Sequence, residues 1–346
     1  MNDPSRDAAS RAVALNDVPA RLARIESLTL LANEPLAGHT RFGVGGPAAL
    51  LADTESEPAF VEALHVLGAS AIRWTVIGGG TNLIVNDGGY AGVVLRFRGG
   101  VLERAGDRVE AQAGAPLQSV VDFAVGHGLE GLDRMTGIPG FSGGAIYGNA
   151  GAYGQSISDT LESVRVFDGE RVRRLDSAKC EFRYRDSIFK RKKEWLILAA
   201  VFALRGADAA ALRASADEIL ATRNRKYPPD MRCAGSIFKN LILSELPQPV
   251  RAQVPESVVK KGKVPAAWFL DQAGGRGQQS GGIRVAEYHA NLIYNDGTGT
   301  ARELRALIGD LKRRVEARFG LQLEEEVQYL GFEDGARSEN PGKTQE

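Results

Sequence analysis

Gly137-Ile138-Pro139-Gly140-Phe141-Ser142-Gly143-Gly144-Ala145-Ile146-Tyr147-Gly148-Asn149-Ala150-Gly151-Ala152-Tyr153-Gly154 holds seven glycines and no charge. Glycine raises the entropic cost of every regular element, so a run this dense predicts neither a stable helix nor an ordinary amphipathic strand. Its uncovered backbone donors suit a large, planar, anionic cofactor lying against main chain; the plainer alternative is a Gly-rich packing turn. A second stretch, Val76-Ile77-Gly78-Gly79-Gly80-Thr81-Asn82-Leu83-Ile84-Val85, places three glycines between two apolar runs. Consecutive N–H groups can face outward there, as in a pyrophosphate cradle, or the segment can be a tight strand-to-strand turn. No Gly-Lys-Ser/Thr follows and no GxGxxG opens a helix, which excludes the Walker and Rossmann patterns.

The chain of 346 residues suits two or three compact units. Hydrophobic residues at 43% and charged residues at 25% are globular values. Lys plus Arg and Asp plus Glu balance at 43 each, which gives no basic field for nucleic acid. Cys180 and Cys233 form no CxxC pair, arguing against a zinc site, a disulfide scaffold or a dithiol centre, and fitting a reducing cytosol. The histidines His39, His65 and His127 show no metal-ligand spacing, so no metal is expected. Met1 to Asp17 carry no apolar core of signal-peptide length, and no window approaches the ~18 apolar residues of a spanning helix. A cytoplasmic protein without membrane insertion is expected.

Helices and strands alternate along the chain. Ser56 caps a predicted helix bearing Phe60, Val61, Leu64 and Leu67 that stops at Gly68, and Trp74 to Ile77 reads as a strand. A second helix runs from about Pro116 to Val125, and Leu196 to Leu204 is a buried strand. A third helix from about Asp208 ends before Pro228-Pro229. Thr300-x-x-Glu303 is a capping box opening a helix with Leu304, Leu307, Ile308, Leu311 and Val315 on one face, and Glu326 to Leu330 is the expected final strand. The order suits α+β domains. Both chain ends read as mobile extensions.

Thr40-Arg41-Phe42-Gly43-Val44-Gly45-Gly46, the two glycine loops, Tyr184-Arg185-Asp186-Ser187-Ile188-Phe189-Lys190, Ala234-Gly235-Ser236-Ile237-Phe238-Lys239-Asn240 and Glu326-Val327 follow one another from about Leu28 to Gly331. In this order they resemble the motifs of the UDP-N-acetylenolpyruvoylglucosamine reductases. The resemblance implies an α+β fold: a two-part FAD-binding module of the vanillyl-alcohol-oxidase type, then a smaller α+β substrate-binding domain. Its implied divisions are an N-terminal extension over 1–27, FAD-binding subdomains over 28–98 and 99–227, the substrate-binding domain over 228–333 and a flexible tail over 334–346.

The implied reaction passes hydride from NADPH through FAD to the enolpyruvyl group of a UDP-sugar, in cell-wall precursor synthesis. The resemblance assigns Arg185 to hold the negative charge that develops on the substrate, Ser236 to donate the proton, and Glu326 as the catalytic glutamate. Arginine can grip a carboxylate with two parallel bonds, while a serine needs neighbours that resupply its proton. Strand alternation turns Glu325 away from the face shared by Glu324 and Glu326. FAD contacts are implied for Gly78, Gly79, Gly80, Thr81, Asn82, Ile138, Pro139, Gly140, Ser142, Gly143, Gly144, Ala145, Asn149 and Gly151. Substrate contacts are implied for Tyr153, Tyr184, Lys226, Asn240 and His289. The chain departs from the pattern in having only Arg205 to Arg225 where some members insert a lid with a tyrosine, in Leu241 where proline commonly stands, and in a longer segment from Ile242 to Val264. The competing readings are a sugar or lactone oxidase of the same cofactor fold and a non-catalytic flavin-binding module.

Overall fold

A computed structural model describes residues 17–332. The first sheet sets Thr29–Pro35 antiparallel to Pro47–Thr54, followed by Tyr90–Phe97 and Trp74–Ile77 in parallel. Parallel neighbours need a crossover, and the helix Glu57–Gly68 supplies it, with the Ser56 hydroxyl accepting from Ala59 N and Phe60, Leu64 and Leu67 in the core. The second sheet is antiparallel, in the order Val172–Asp176, Leu161–Phe167, Leu196–Ala203, Arg108–Gln112, Leu102–Ala105. The helices Leu117–Gly126 and Ala209–Lys226 contribute Val120, Val121 and Leu212 to its core. The third sheet runs Arg232–Ser236, His289–Asn295, Ile283–Ala286, Gln279–Ser280, again antiparallel.

The helix Ala301–Phe319 covers the third core. Thr300 and Glu303 form the reciprocal capping box, at 3.2 and 2.9 Å, and Gly320 closes the helix at φ +64°. Its stripe of Leu304, Leu307, Ile308, Leu311 and Val315 is fully buried, each side chain contributing about 1.5–3 kcal/mol.

Three expectations change. Ser142–Tyr147 is a short helix inside the glycine run. Burial of Ala145 and Ile146 in the second core, with Ser142 N bonded to Ala115 O at 2.8 Å, overrides the poor local propensity. Residues 17–22 of the expected extension are helical, and Val18, Leu22 and Ile25 pack beside Phe60 and Leu64, because an apolar face is available to cover. The last strand is Gln328–Leu330 rather than Glu326 to Leu330. It pairs in parallel with Leu83–Val85 of the first unit, while the residues before it bond instead to the Ile237–Lys239 segment. The expected tail over 334–346 lies outside the described residues.

Candidate active site

A cavity of about 1200 Å³ takes its wall from all three units. That exceeds the ~300–1,000 Å³ of an ordinary small-ligand pocket. Phe60, Phe97, Trp195 and Ile197 make part of the wall apolar; Arg185, Lys190, Ser236 and Glu326 stand on another part.

The two glycine loops meet on this wall. A Cβ on Gly79 would lie 3.3 Å from Gly140 Cα, and the Thr81 hydroxyl donates to Pro139 O at 3.5 Å. Gly80 has φ +62°, and a Cβ there would sit 1.8 Å from the His39 carbonyl oxygen, so no other residue fits without moving backbone. Gly144 is the opposite case: it lines the cavity, and a Cβ on it would meet no described residue beyond its own helix backbone and chain neighbours within 4 Å. The N–H groups of Gly79, Gly80 and Thr81 reach no backbone acceptor among the described residues and remain open to a ligand.

Gly78 to Asn82, Ile138 to Gly140, Gly143 to Ala145 and Gly151 all line the cavity. Ser142 and Asn149 do not. The buried Ser142 hydroxyl donates to Gln112 O at 2.8 Å. Asn149 Nδ2 donates to Arg183 O at 2.9 Å, and its Oδ1 accepts from Ser158 N at 3.3 Å. These side chains brace the loop instead of facing a ligand. The Asn82 amide is shared differently: it donates to Glu326 O at 2.8 Å, and Asn82 O accepts from Gln328 N at 2.9 Å.

Arg185 sits at the tip of a tight hairpin closed by Arg183 and Asp186, at φ +55°. A left-handed conformation in a residue with a side chain costs roughly 1–2 kcal/mol. Its Nε straddles the Glu326 carboxylate, at 3.2 and 3.3 Å, while Nη1 and Nη2 donate to Asn149 O and Gly151 O at 3.4 and 2.9 Å. Three of the five guanidinium N–H groups are thereby occupied and two remain for an anion. Burial raises the Glu326 carboxyl above its ordinary range, against the opposing pull of Arg185, Lys190 and Lys239.

Glu326 N donates to Ile237 O at 2.7 Å and Lys239 N to Glu324 O at 2.9 Å, so the strand end runs alongside the Ser236 loop. Glu325 turns away, accepting from Lys312 at 2.7 Å and pairing with the Tyr329 hydroxyl. Ser236 follows Gly235, which has φ +78°, and the loop is fixed by Asn291, bonded to both Phe238 N and Phe238 O at 2.8 Å. Arg185, Ser236 and Glu326 therefore reach one cavity from three separate parts of the chain.

Tyr153, Tyr184, Lys226, Asn240 and His289 lie outside the cavity lining. The Tyr184 hydroxyl accepts from Asn240 N at 3.3 Å directly behind Arg185, and Asn240 Oδ1 accepts from Ala266 N at 3.2 Å. Tyr153 is exposed at φ +50°, beside Arg223. Lys226 ends its helix with Nζ 5.0 Å from the Tyr227 ring centroid. His289 is held neutral, its pKa pushed down to about 4 by burial and then by Lys226, and its Nδ1 is buried with no hydrogen-bond partner among the described residues. Lys190 and Arg223, both on the cavity wall, were not singled out by residue type. Lys190 stands five residues after Arg185 in the same motif, and Arg223 one helical turn before Lys226.

Open loop donors, an apolar wall for flat rings and a cationic corner beside a carboxylate together fit a dinucleotide with a second, anionic ligand. Residues 48–173 match the FAD binding domain family, so the fold and site define an α+β flavoprotein with a substrate domain attached. Residues 227–330 match the C-terminal domain of UDP-N-acetylenolpyruvoylglucosamine reductase. The chain is 55% identical to the UDP-N-acetylenolpyruvoylglucosamine reductase of Solibacter usitatus over 311 residues, covering 90% of this chain and 100% of that one. Against that of Bacillus subtilis the identity is 33%, covering 87% and 94%. The crystal structure of the Thermus caldophilus reductase superposes with a TM-score of 0.68 at 27% identity, covering 88% of this chain and 98% of that one. The chain belongs to the UDP-N-acetylenolpyruvoylglucosamine reductase family.

Proposed function

We propose that the protein reduces UDP-N-acetylglucosamine enolpyruvate to UDP-N-acetylmuramate, with FAD as cofactor and NADPH as hydride donor, in peptidoglycan precursor synthesis. The observation that carries this is the meeting of Arg185, Glu326 and Ser236 on the cavity that the glycine loops line, in a chain of this family. The glycine loops Gly78 to Asn82 and Ile138 to Ala145 would hold FAD, which when bound would supply hydride transfer from NADPH to the enolpyruvyl methylene carbon. The two open N–H groups of Arg185 hold the substrate carboxylate while negative charge develops next to it, and Glu326 keeps the guanidinium aimed. Ser236 supplies the proton to the adjacent carbon. Tyr153, Tyr184, Lys226, Asn240 and His289 are assigned to substrate contacts, with Tyr184 and Asn240 on the Arg185 side. The parts over 28–98 and 99–227 hold the cofactor and 228–333 the substrate, with Glu326 returned to the cofactor loop by the final strand.

No helix of the described residues is long and apolar enough to cross a membrane. We place the reaction in the cytoplasm, where its nucleotide substrates are, without a nucleic-acid partner. Anaerobic reduction by NADPH followed by reoxidation with the enolpyruvyl nucleotide tests the reading; reoxidation by oxygen alone would favour an oxidase.

The purified protein should be yellow, with FAD rather than FMN bound noncovalently. Colourless protein that takes up no FAD on reconstitution contradicts this. The glycines give a sharper check. Gly80→Ala is expected to lower both the melting temperature and FAD content, since φ +62° alone costs about 1–2 kcal/mol before the clash with His39 O. Gly144→Ala should leave the melting temperature in place and weaken only FAD binding, because its Cβ enters open cavity. Unchanged FAD affinity in Gly144→Ala would remove that helix from the cofactor site.

A further inference from the structure

Arg185 is held at its hairpin tip by a neighbour that the reaction above does not use. Lys190 lies in the short helix Ile188–Arg191, and its Nζ donates to the Arg185 carbonyl at 2.7 Å. The start of that helix is pinned by the buried Ser187, whose hydroxyl donates to Tyr147 O at 2.7 Å, and the Tyr147 ring centroid lies 5.8 Å from Lys190 Nζ. Lys190 lines the cavity with Arg185, Ser236 and Glu326.

The surrounding charges can be counted. Glu326 faces Arg185, Lys190 and Lys239, with the Tyr184 hydroxyl nearby. Lys190 faces Lys239, Asp186, Glu326 and Glu324. Asp186 is already paired with Arg191, and Glu324 with Lys239. Those pairs cancel, leaving Arg185 and Lys190 facing the single carboxylate of Glu326, with a third cation, Lys263, beside Arg185 and 3.7 Å from the Tyr184 ring centroid. The remaining positive charge complements a substrate carboxylate. Burial raises the Glu326 carboxyl, with Arg185 first and then Lys190 and Lys239 pulling it back, and burial and Lys239 lower the Lys190 ammonium, with Asp186, Glu326 and Glu324 holding it up.

We propose that Lys190 is a positioning residue for the reduction: it fixes the Arg185 backbone through its carbonyl and sets a second cation on the cavity wall that Glu326 shares, so that the guanidinium stays aimed at the substrate carboxylate. The inference rests on the reaction proposed above. Without the ammonium, Glu326 has one cation fewer to hold its charge, and the hairpin tip loses the side-chain donor that Arg185 O has among the described residues.

The test is stopped-flow reoxidation of the NADPH-reduced holoenzyme by the enolpyruvyl nucleotide across a range of pH. Lys190→Met is expected to slow it by roughly 10²-fold, the scale of a misplaced catalytic group. The acid limb should move to higher pH by about one unit, the low end for losing a nearby opposite charge, because the carboxylate then protonates more readily. Lys190→Arg keeps the charge, so it should leave the limb in place and recover part of the rate. Lys190→Gln replaces the Met variant if that one does not fold. An unmoved acid limb in the uncharged variant overturns the proposal, as does an equal shift in Lys190→Arg. If the wild-type flavin is not reoxidised by the nucleotide at all, the reaction fails instead. Infrared titration of the Glu326 carboxylate, assigned with Glu326→Gln, then decides the lysine's part independently: an unchanged titration in Lys190→Met overturns it.

Discussion

Ser236→Ala is expected to leave FAD content and flavin reduction by NADPH nearly intact and to lower turnover by at least ~10²-fold, the lower scale for a positioned acid. The hydroxyl lies on the cavity wall with Arg185 and Glu326, while the loop that carries it is fixed by Asn291 through Phe238 and by Glu326 N on Ile237 O. None of those contacts uses the Ser236 side chain, so the fold should survive its loss. Ser236→Cys should recover part of the turnover, since a thiol is a stronger acid and donates from nearly the same place. Melting temperature separates the proton donor from a structural serine. Full turnover at an unchanged melting temperature in Ser236→Ala contradicts the assignment, and a joint fall of both favours a structural role.

Arg185→Lys should slow flavin reoxidation far more than flavin reduction, because only the second half-reaction builds charge beside the substrate carboxylate. The change keeps a positive charge and loses the fork: Nε on both Glu326 oxygens, two carbonyl contacts and two open N–H groups cannot be reproduced by one ammonium. A loss of roughly 10²-fold or more in the second half matches the usual weight of one preorganised donor. Equal slowing of both halves by single-turnover measurement would remove Arg185 from the charge-stabilising role.

Local pattern was enough for the elements whose cause is local. The Ser56 cap, the five-residue apolar stripe after Thr300 and the helix ending before Pro228 follow from spacing and capping chemistry, which neighbours in sequence satisfy among themselves. The glycine loops were legible for the same reason: main chain that must turn sharply or stay uncovered selects glycine whatever surrounds it, as Gly80 against His39 O demonstrates. The ordered motifs carried the family and its flavin.

Tertiary structure decided what no local pattern holds. Within one glycine run, Gly143 and Gly144 face the cavity while Ser142 and Asn149 turn inward, because the buried Ser142 and Asn149 side chains find their acceptors in the Gln112 and Arg183 carbonyls. A helix formed there because the second core offered Ala145 and Ile146 a place to be buried. Glu324, Glu325 and Glu326 are chemically alike in sequence, yet each takes a different partner, Lys239, Lys312 and Arg185. That sorting is imposed by the strand Gln328–Leu330 returning to Leu83–Val85 and by the bonds of the preceding segment to Ile237 and Lys239. Residue type supplied the charges. Chain return over hundreds of residues, driven by burial and backbone hydrogen bonding, determined which carboxylate met the arginine.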